Sequence, residues 1–155
     1  MEIPQLMIET LVSAIQEVFE TMVFCPVAVQ PVMTGDHAGP TSGIVASVGF
    51  AGQQCGVVAF YSGTDAAGRI AGAMLGLPPA EVTGEMPDAI GEMANMIAGT
   101  FRTKMAAYNQ AWAISVPTVT IGSDFQTRYG SAVSRAVVPF EIDGHGLFVE
   151  LVLHG

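Results

Sequence analysis

The stretch Asp88-Ala-Ile-Gly-Glu92-Met-Ala-Asn95-Met-Ile-Ala-Gly99 lies in the middle of a long segment with the apolar spacing of an α-helix. A helix turns by about 100° per residue, so the polar residues of this stretch share one narrow stripe. Glu92 and Asn95 are therefore predicted to project about one turn apart on the solvent side. The opposite side is apolar, as a helix facing a core requires. Its members are Met86, Ile90, Met93, Ile97, Phe101 and Tyr108.

The polar side of this helix contains residues that weaken helices. The Asn95 side chain competes for backbone hydrogen bonds, and Gly91 and Gly99 each cost roughly 1 kcal/mol relative to Ala. Such a surface is predicted to make contacts, with the two glycines letting another backbone come close. Met96 at the border of the stripe and Arg102 further along it are predicted to touch the same partner. Without further support, however, exposed Glu and Asn side chains on a helix are most often simply solvated.

Length and composition indicate one domain spanning residues 1–155, because 155 residues with 50% hydrophobic content can bury a proper core. No apolar run approaches the roughly 18 residues of a membrane span, and the N-terminus lacks the basic region of a signal peptide. We therefore expect a cytoplasmic protein. The net charge is −9 with only five Lys and Arg residues, which disfavours nucleic acids and anionic membranes as partners.

The usual catalytic and metal-binding motifs are absent from the sequence. There is no phosphate-binding Gly-rich loop with a lysine, and the three histidines lack the spacing of a metal site, so no metal of its own is expected. Cys25 and Cys55 are predicted to be buried free thiols. Asp88 and Glu92 could form an acid/base pair, but an exposed helix gives them no apolar pocket to separate their pKa values. A small-molecule enzyme is therefore not supported.

Two halves with the same order of elements follow each other along the chain. The first has a helix over residues 4–24, a strand-like run at 27–32, and strands at 44–50 and 57–61. A shorter helix at 64–75 leads to the second half, where the helix with the stripe precedes strands at 112–121, 132–142 and 147–153. We predict an α+β domain of two α-β-β-β halves, with the long helices packed on a mainly antiparallel sheet.

The C-terminal strand Leu147-Phe-Val-Glu-Leu-Val-Leu153 is apolar on nearly both faces, with Glu150 its only charge. If this strand lies at a free sheet edge, it invites pairing with another chain. The sequence therefore predicts a homodimer.

Glu92-Met-Ala-Asn95-Met-Ile-Ala-Gly99 closely resembles the signature helix of the CheC/CheX/FliY family of chemotaxis phosphatases. In that family an Asp or Ser stands four positions before the Glu, as Asp88 does here. A proline roughly twenty residues after the Asn completes the pattern, and Pro117 fits it. Phe19-Glu-Thr-Met-Val and Ser134-Arg-Ala-Val-Val-Pro-Phe also look like CheX, so the resemblance extends over most of the chain.

The resemblance also indicates the branch of the family. CheC-like members usually carry a second Glu-x-x-Asn in the first long helix, whereas Glu17 is followed three positions later by Glu20. One site per chain, and hence a CheX-like protein, is implied. The family's homodimers are a second ground for expecting a dimer.

What the resemblance implies is a phosphatase that hydrolyses the aspartyl phosphate of a CheY-type receiver. Asn95 would orient the in-line water, and Glu92 would pair with the receiver's lysine and anchor the helix. Asp88 would assist at the rim or complement the helix N-terminus. The receiver would supply Mg²⁺, so no cofactor of its own is implied. Two alternatives stay open, a non-catalytic receiver-binding adaptor and a structural dimerisation domain.

Overall fold

Helices cover one face of an antiparallel sheet in a computed structural model that describes residues 2–34, 41–130 and 133–155. The helices are α1 (Gln5–Met22), α2 (Thr64–Leu75) and α3 (Met86–Ala106), with two short 3₁₀ turns before α3. The strands are β1 (Ala28–Val29), β2 (Met33–Thr34), β3 (Thr41–Gly52), β4 (Cys55–Ser62), β5 (Trp112–Ile114), β6 (Thr118–Phe125), β7 (Val133–Ile142) and β8 (His145–His154). This architecture confirms the predicted α+β class.

The sheet order shows how the two halves combine. It runs β1-β7-β8-β4-β3-β5, with β2 also pairing with β7 and β6 also pairing with β3. The last strands of the two halves, β4 and β8, pair at the centre of the sheet. The first strand of each half is divided in two and pairs with a strand of the other half: β1 and β2 pair with β7, and β5 and β6 pair with β3. The order therefore stays the same when the halves are exchanged, and each half completes the sheet of the other.

The core lies between the helices and the inner face of the sheet. α3 lies between α1 and α2 and contacts β3, β4, β5 and β6. Phe19 of α1 packs edge-on against Phe60 and Phe140, which belong to the two different hairpins. Phe50, Phe101 and Trp112 form a second aromatic group that joins α3 to β3 and β5. Large side chains thus fix α3 against both halves.

The C-terminal strand lies inside the sheet and not at its edge, so the position assumed for it from the sequence is wrong. β8 pairs with β4 along residues 148–154 and with β7 along its whole length. Its apolar character has an internal reason. Leu147, Val149, Leu151 and Leu153 belong to the core cluster, and Phe148 stacks on Tyr61 in a separate apolar cluster. The outer positions of the sheet are held by β5 and β6 on one side and by β1 and β2 on the other.

Pro139 lies within β7, although proline inside a strand is normally confined to a sheet edge or a bulge. The structure shows a different arrangement, in which β7 pairs continuously with β8 and the strand opposite is broken into β1 and β2. Gln30 at this break donates its backbone N–H to the Pro139 carbonyl at 2.9 Å. The side on which proline lacks an N–H donor therefore faces the gap between the two short strands.

Three further expectations have mixed outcomes. Cys25 is buried, and burial raises the pKa of its thiol, whereas Cys55 is exposed beside the β3–β4 turn. Tyr108 was assigned to the apolar side of the stripe helix, but it follows the last residue of α3 and is 51% exposed. His37 lies outside the described residues.

In the described part of the chain, no helix has the length and apolar character needed to cross a membrane.

Candidate functional site

α3 carries the polar stripe and begins where the sequence favours a helix start. Pro87 occupies the first turn, where a missing N–H costs nothing, and Asp88 adds a negative charge near the helix N-terminus. Ile90 and Met93 are fully buried on the opposite side. The burial of that side orients the whole helix, so the stripe faces away from the core.

The residues of the stripe differ in their exposure. Asp88 and Glu92 are exposed, whereas Asn95 one turn further is half-buried. A Cβ atom added at Gly99 would have no atom within 4 Å, so the surface beside Asn95 is open. Arg102 is again exposed. The stripe therefore presents a free carboxylate and, next to it, a carboxamide set partly into the surface.

Gly91 does not face solvent, contrary to the interpretation that a partner backbone approaches it. The residue is buried, and a Cβ atom at this position would lie 3.1 Å from Cγ2 of Val119 and 3.9 Å from Cγ of Pro117. The glycine thus allows β6 to lie close against α3 one residue before Glu92. The role of Gly91 is internal packing. Open surroundings were expected for both Gly91 and Gly99, and of these two only Gly99 has them.

The connection between β5 and β6 is fixed beside α3 by hydrogen bonds. Ser115 donates its backbone N–H to the Gly49 carbonyl at 2.8 Å, and Gly49 donates its N–H to Ser115 Oγ at 2.9 Å. Ser115 Oγ donates in turn to the Val116 carbonyl at 3.0 Å. Pro117, identified in the sequence by its distance from Asn95, therefore lies at a defined position against the helix that carries the stripe.

An open groove of about 560 Å³ runs along α3 at Asn95. Its lining includes the half-buried Met96 and the open Gly99, which were expected to contact a partner. The full lining is Glu17, Asn95, Met96, Gly99, Thr100, Arg102, Thr103, Lys104 and Ile114. Glu17 of α1 and Lys104 form an ion pair of 3.7 Å at this groove. Sequence reasoning missed this pair, because it joins two helices that are far apart in the chain.

Other chemistry is limited in the described part of the chain. No three His, Cys, Asp or Glu side chains lie close enough together there to hold a metal ion. A second open pocket of about 570 Å³ lies near the start of α2 and is lined by residues such as Asp65 and His145. A third, of about 370 Å³, borders Tyr129 and Arg135. Neither contains a residue of the stripe.

Comparison with known proteins identifies the fold and the family. A CheC-like superfamily protein from Shewanella sp. PV-4 superposes with a TM-score of 0.89 at 18% identity, over 99% of this chain and 100% of that one. CheX from Desulfovibrio desulfuricans gives 0.87 at 22% identity, over 96% and 99%. CheX from Borrelia burgdorferi, solved as a complex with CheY, BeF₃ and Mg²⁺, gives 0.72 at 25% identity, over 96% and 97%.

No curated protein matches the chain. The family model described as chemotaxis phosphatase CheX matches residues 44–141, which is more than half of the sequence and includes all of α3. The chain therefore belongs to the CheX family of chemotaxis phosphatases.

Proposed function

We propose that this protein hydrolyses the aspartyl phosphate of a CheY-type receiver by placing α3 against the phosphorylated site. The observation that carries the proposal is the pairing of an exposed Glu92 with a half-buried Asn95 one turn later, beside an open groove. An insertion of this kind needs a carboxylate that can reach a partner and an amide held in place near it. The exposed Glu92 and the half-buried Asn95 on one side of α3 support such an insertion.

Asn95 is proposed to orient the attacking water. Phosphoryl transfer needs an in-line nucleophile and neutralisation of charge more than it needs a covalent protein intermediate. A carboxamide both donates and accepts hydrogen bonds, so it can fix the position and direction of one water molecule. Asn95 is half-buried, so its amide lies beside the groove and can meet a water molecule at a docked partner.

Glu92 is proposed to bind the receiver's lysine. An exposed carboxylate that becomes desolvated against an ammonium forms a charge-assisted hydrogen bond. That contact would anchor α3 at a fixed depth, and Asp88 one turn earlier would add negative charge at the rim or complement the N-terminus of α3.

The receiver is proposed to supply the metal ion and the cationic side chain of the reaction. The Borrelia CheX was solved with CheY, BeF₃ and Mg²⁺, which supports a receiver as partner. This chain then needs to contribute only the water-orienting amide and the anchoring carboxylate, and it needs no cofactor of its own.

Replacement of Asn95 tests the enzymatic part of the proposal. Asn95→Ala should slow phosphate release from a phosphorylated receiver by about 100-fold or more, the scale of a lost positioning contact, and leave receiver binding nearly unchanged. Gln16→Ala removes an exposed carboxamide from α1 outside the groove and serves as the matched control. A wild-type rate for Asn95→Ala would leave the non-catalytic adaptor as the better account.

A homodimer is also proposed, but on a different strand from the one suggested by the sequence. β6 pairs with β3 along one of its edges and lies at the outer side of the sheet. Thr118, Thr120 and Ile121 in this strand are exposed, Ile121 by 63%. An outer strand with exposed β-branched residues is suited to pairing with a second copy. If dimerisation were found without any receiver binding, a structural dimerisation domain would explain the fold.

A further inference from the structure

Most of the positive charge of this acidic protein is already paired. Of the five cationic side chains in the sequence, three form ion pairs within the described residues. These pairs are Arg69 with Asp143, Lys104 with Glu17, and Arg135 with Glu150. Arg102 and Arg128 form no ion pair within the part of the chain that the structure describes. Among the described residues, these two cations have no internal carboxylate partner and so can meet one on another protein.

Arg102 lies at the groove that contains Asn95. It follows Asn95 by seven residues, so it lies on the same side of α3 about 10 Å further along the axis. Gly99 between them has open surroundings, and no side chain of its own separates the two. Lys104 also lines the groove, but Glu17 pairs with it. Of the two cations that line the groove, Arg102 is thus the one without an ion pair to any described residue.

The stripe consequently has opposite charges at its two ends. Asp88 precedes Asn95 by seven residues and Arg102 follows it by seven, so an acid and a base flank the amide at about 10 Å on either side. A partner that places a cation near Glu92 is oriented best when it also places an anion near Arg102. The charge order therefore distinguishes one docking direction from its reverse.

We infer that Arg102 recognises an acidic side chain on the receiver surface and so selects among receivers, an inference that rests on the proposed function of the same helix. The remaining surface of a protein with net charge −9 repels acidic partners. An acidic residue of a partner is attracted near an unpaired cation, and Arg102 is the one beside Asn95, so this position has weight in choosing the partner and its orientation.

Charge reversal with a matched control tests the inference. Arg102→Glu and Arg128→Glu change the net charge by the same amount, and Arg128 lies outside the groove. The probe is a receiver from the same genome loaded with BeF₃ and Mg²⁺, titrated against each variant. Arg102→Glu should raise Kd about five- to tenfold at low salt, through loss of a pair and gain of a like charge. Arg128→Glu should stay within about twofold.

Salt and a compensating change sharpen the result. The difference between the two variants should shrink at about 1 M salt, where the Debye length falls to about 3 Å. Acidic residues on the receiver are changed to Lys one at a time, and one such change should restore the affinity of Arg102→Glu. Equal effects of both reversals would mean that only net charge matters and would overturn the inference, as would an unchanged Kd or the failure of every Lys change to restore affinity.

The outcomes separate this inference from the proposed function. Arg102→Glu should raise KM for phosphate release and leave kcat unchanged, because Arg102 is assigned to binding alone. If the wild-type protein binds the receiver through Arg102 but releases no phosphate, the phosphatase proposal fails and the inference stands. If phosphate is released and KM is the same in both reversals, the inference fails alone. If no receiver binds, both fail.

Discussion

A Cβ atom placed on Gly91 would lie 3.1 Å from Cγ2 of Val119, so α3 and β6 touch at the residue that precedes Glu92. A methyl group at Gly91 would not fit without displacing Val119, so the helix backbone and the strand side chain are closely packed here. The height of Glu92 above the sheet is therefore set by β6, and the hydrogen-bonded connection at Ser115 holds β6 in its turn. The site depends on a strand that contributes no residue to the stripe.

Alanine substitution at Gly91 and at Gly99 should separate helix propensity from packing. Gly99→Ala gains about 0.5–1 kcal/mol of stability, because Ala is the better helix former and its Cβ meets no atom within 4 Å. Gly91→Ala has the same propensity gain but pushes against Val119, and overpacking costs about 1–3 kcal/mol. Urea unfolding of the two variants should therefore place Gly91→Ala at least about 1 kcal/mol below Gly99→Ala. Equal stabilisation by both would show that Val119 moves freely.

Local periodicity sufficed to predict α3 and its exposed side, because the apolar residues at helical spacing decide which side is buried. The fate of Gly91 could not be predicted in this way. Gly91 and Gly99 are both glycines near the stripe, and only the position of Val119, 28 residues later in the chain, makes one buried and leaves the other open. Tyr108 fits the helical spacing as well, but α3 ends at Ala106 and the turn that follows exposes its ring.

The order of strands was the other property hidden from the sequence. The apolar run Leu147–Leu153 is compatible with a central strand and also with an edge strand that pairs with another chain, so the pattern alone does not choose between them. Pairing partners decide between them, and these are β4 and β7, one from each half of the chain. The single charged residue of this strand, Glu150, belongs to a buried network of hydrogen bonds and an ion pair. Glu150 is 2% exposed and is bound by Arg135 and by Tyr61, whose hydroxyl donates at 3.1 Å.

The tyrosines of this network predict a loss of stability at alkaline pH. Burial raises the pKa of Tyr61 above its ordinary value of 10.0, and burial likewise raises the pKa of Tyr129. The hydroxyl oxygens of the two tyrosines are 3.4 Å apart. The folded protein then keeps protons that the unfolded chain releases. Stability from this source is complete below about pH 10 and falls as the pH rises further, since the unfolded state binds fewer protons there.

Single tyrosine replacements test the alkaline effect. Tyr61→Phe should reduce the slope of unfolding free energy against pH above about pH 10, whatever its effect on stability at neutral pH. Tyr108→Phe is the control, because Tyr108 is 51% exposed. Denaturant unfolding between about pH 8 and pH 11 measures both slopes. An identical slope for Tyr61→Phe and the parent protein would contradict the assignment.

The outer strand β6 predicts where a homodimer would be disrupted. Ile121→Lys places a charge on an exposed strand position and should shift the protein from dimer to monomer in sedimentation at micromolar concentration. Met33→Lys places the same charge at the other side of the sheet, in β2, where Met33 is 42% exposed. This control variant should leave the dimer intact. A parent protein that sediments as a monomer would remove the homodimer altogether, and disruption by Met33→Lys alone would move the interface to β2.

The two carboxylates of the stripe should differ in what they contribute to receiver binding. Glu92→Ala removes the proposed anchor, and loss of one partner from a desolvated charge pair weakens binding by about 2–5 kcal/mol. It should also lower the rate of phosphate release, since Asn95 one turn away is no longer held at a fixed depth. Asp88→Ala acts at the rim and should cost about 1 kcal/mol or less. Glu20→Ala, an exposed carboxylate on α1, is the control.

Thermal melting of the same variants should show almost no change, because both carboxylates are exposed and surface substitutions mostly stay within about 0.5 kcal/mol. Receiver affinity and phosphate release therefore report on the site and not on the fold. The expected order is a large binding loss for Glu92→Ala, a small one for Asp88→Ala and none for Glu20→Ala. If Asp88→Ala weakened binding more than Glu92→Ala, the anchor would lie one turn earlier on α3, and Asn95 would then be too far from it for the proposed placement of the water.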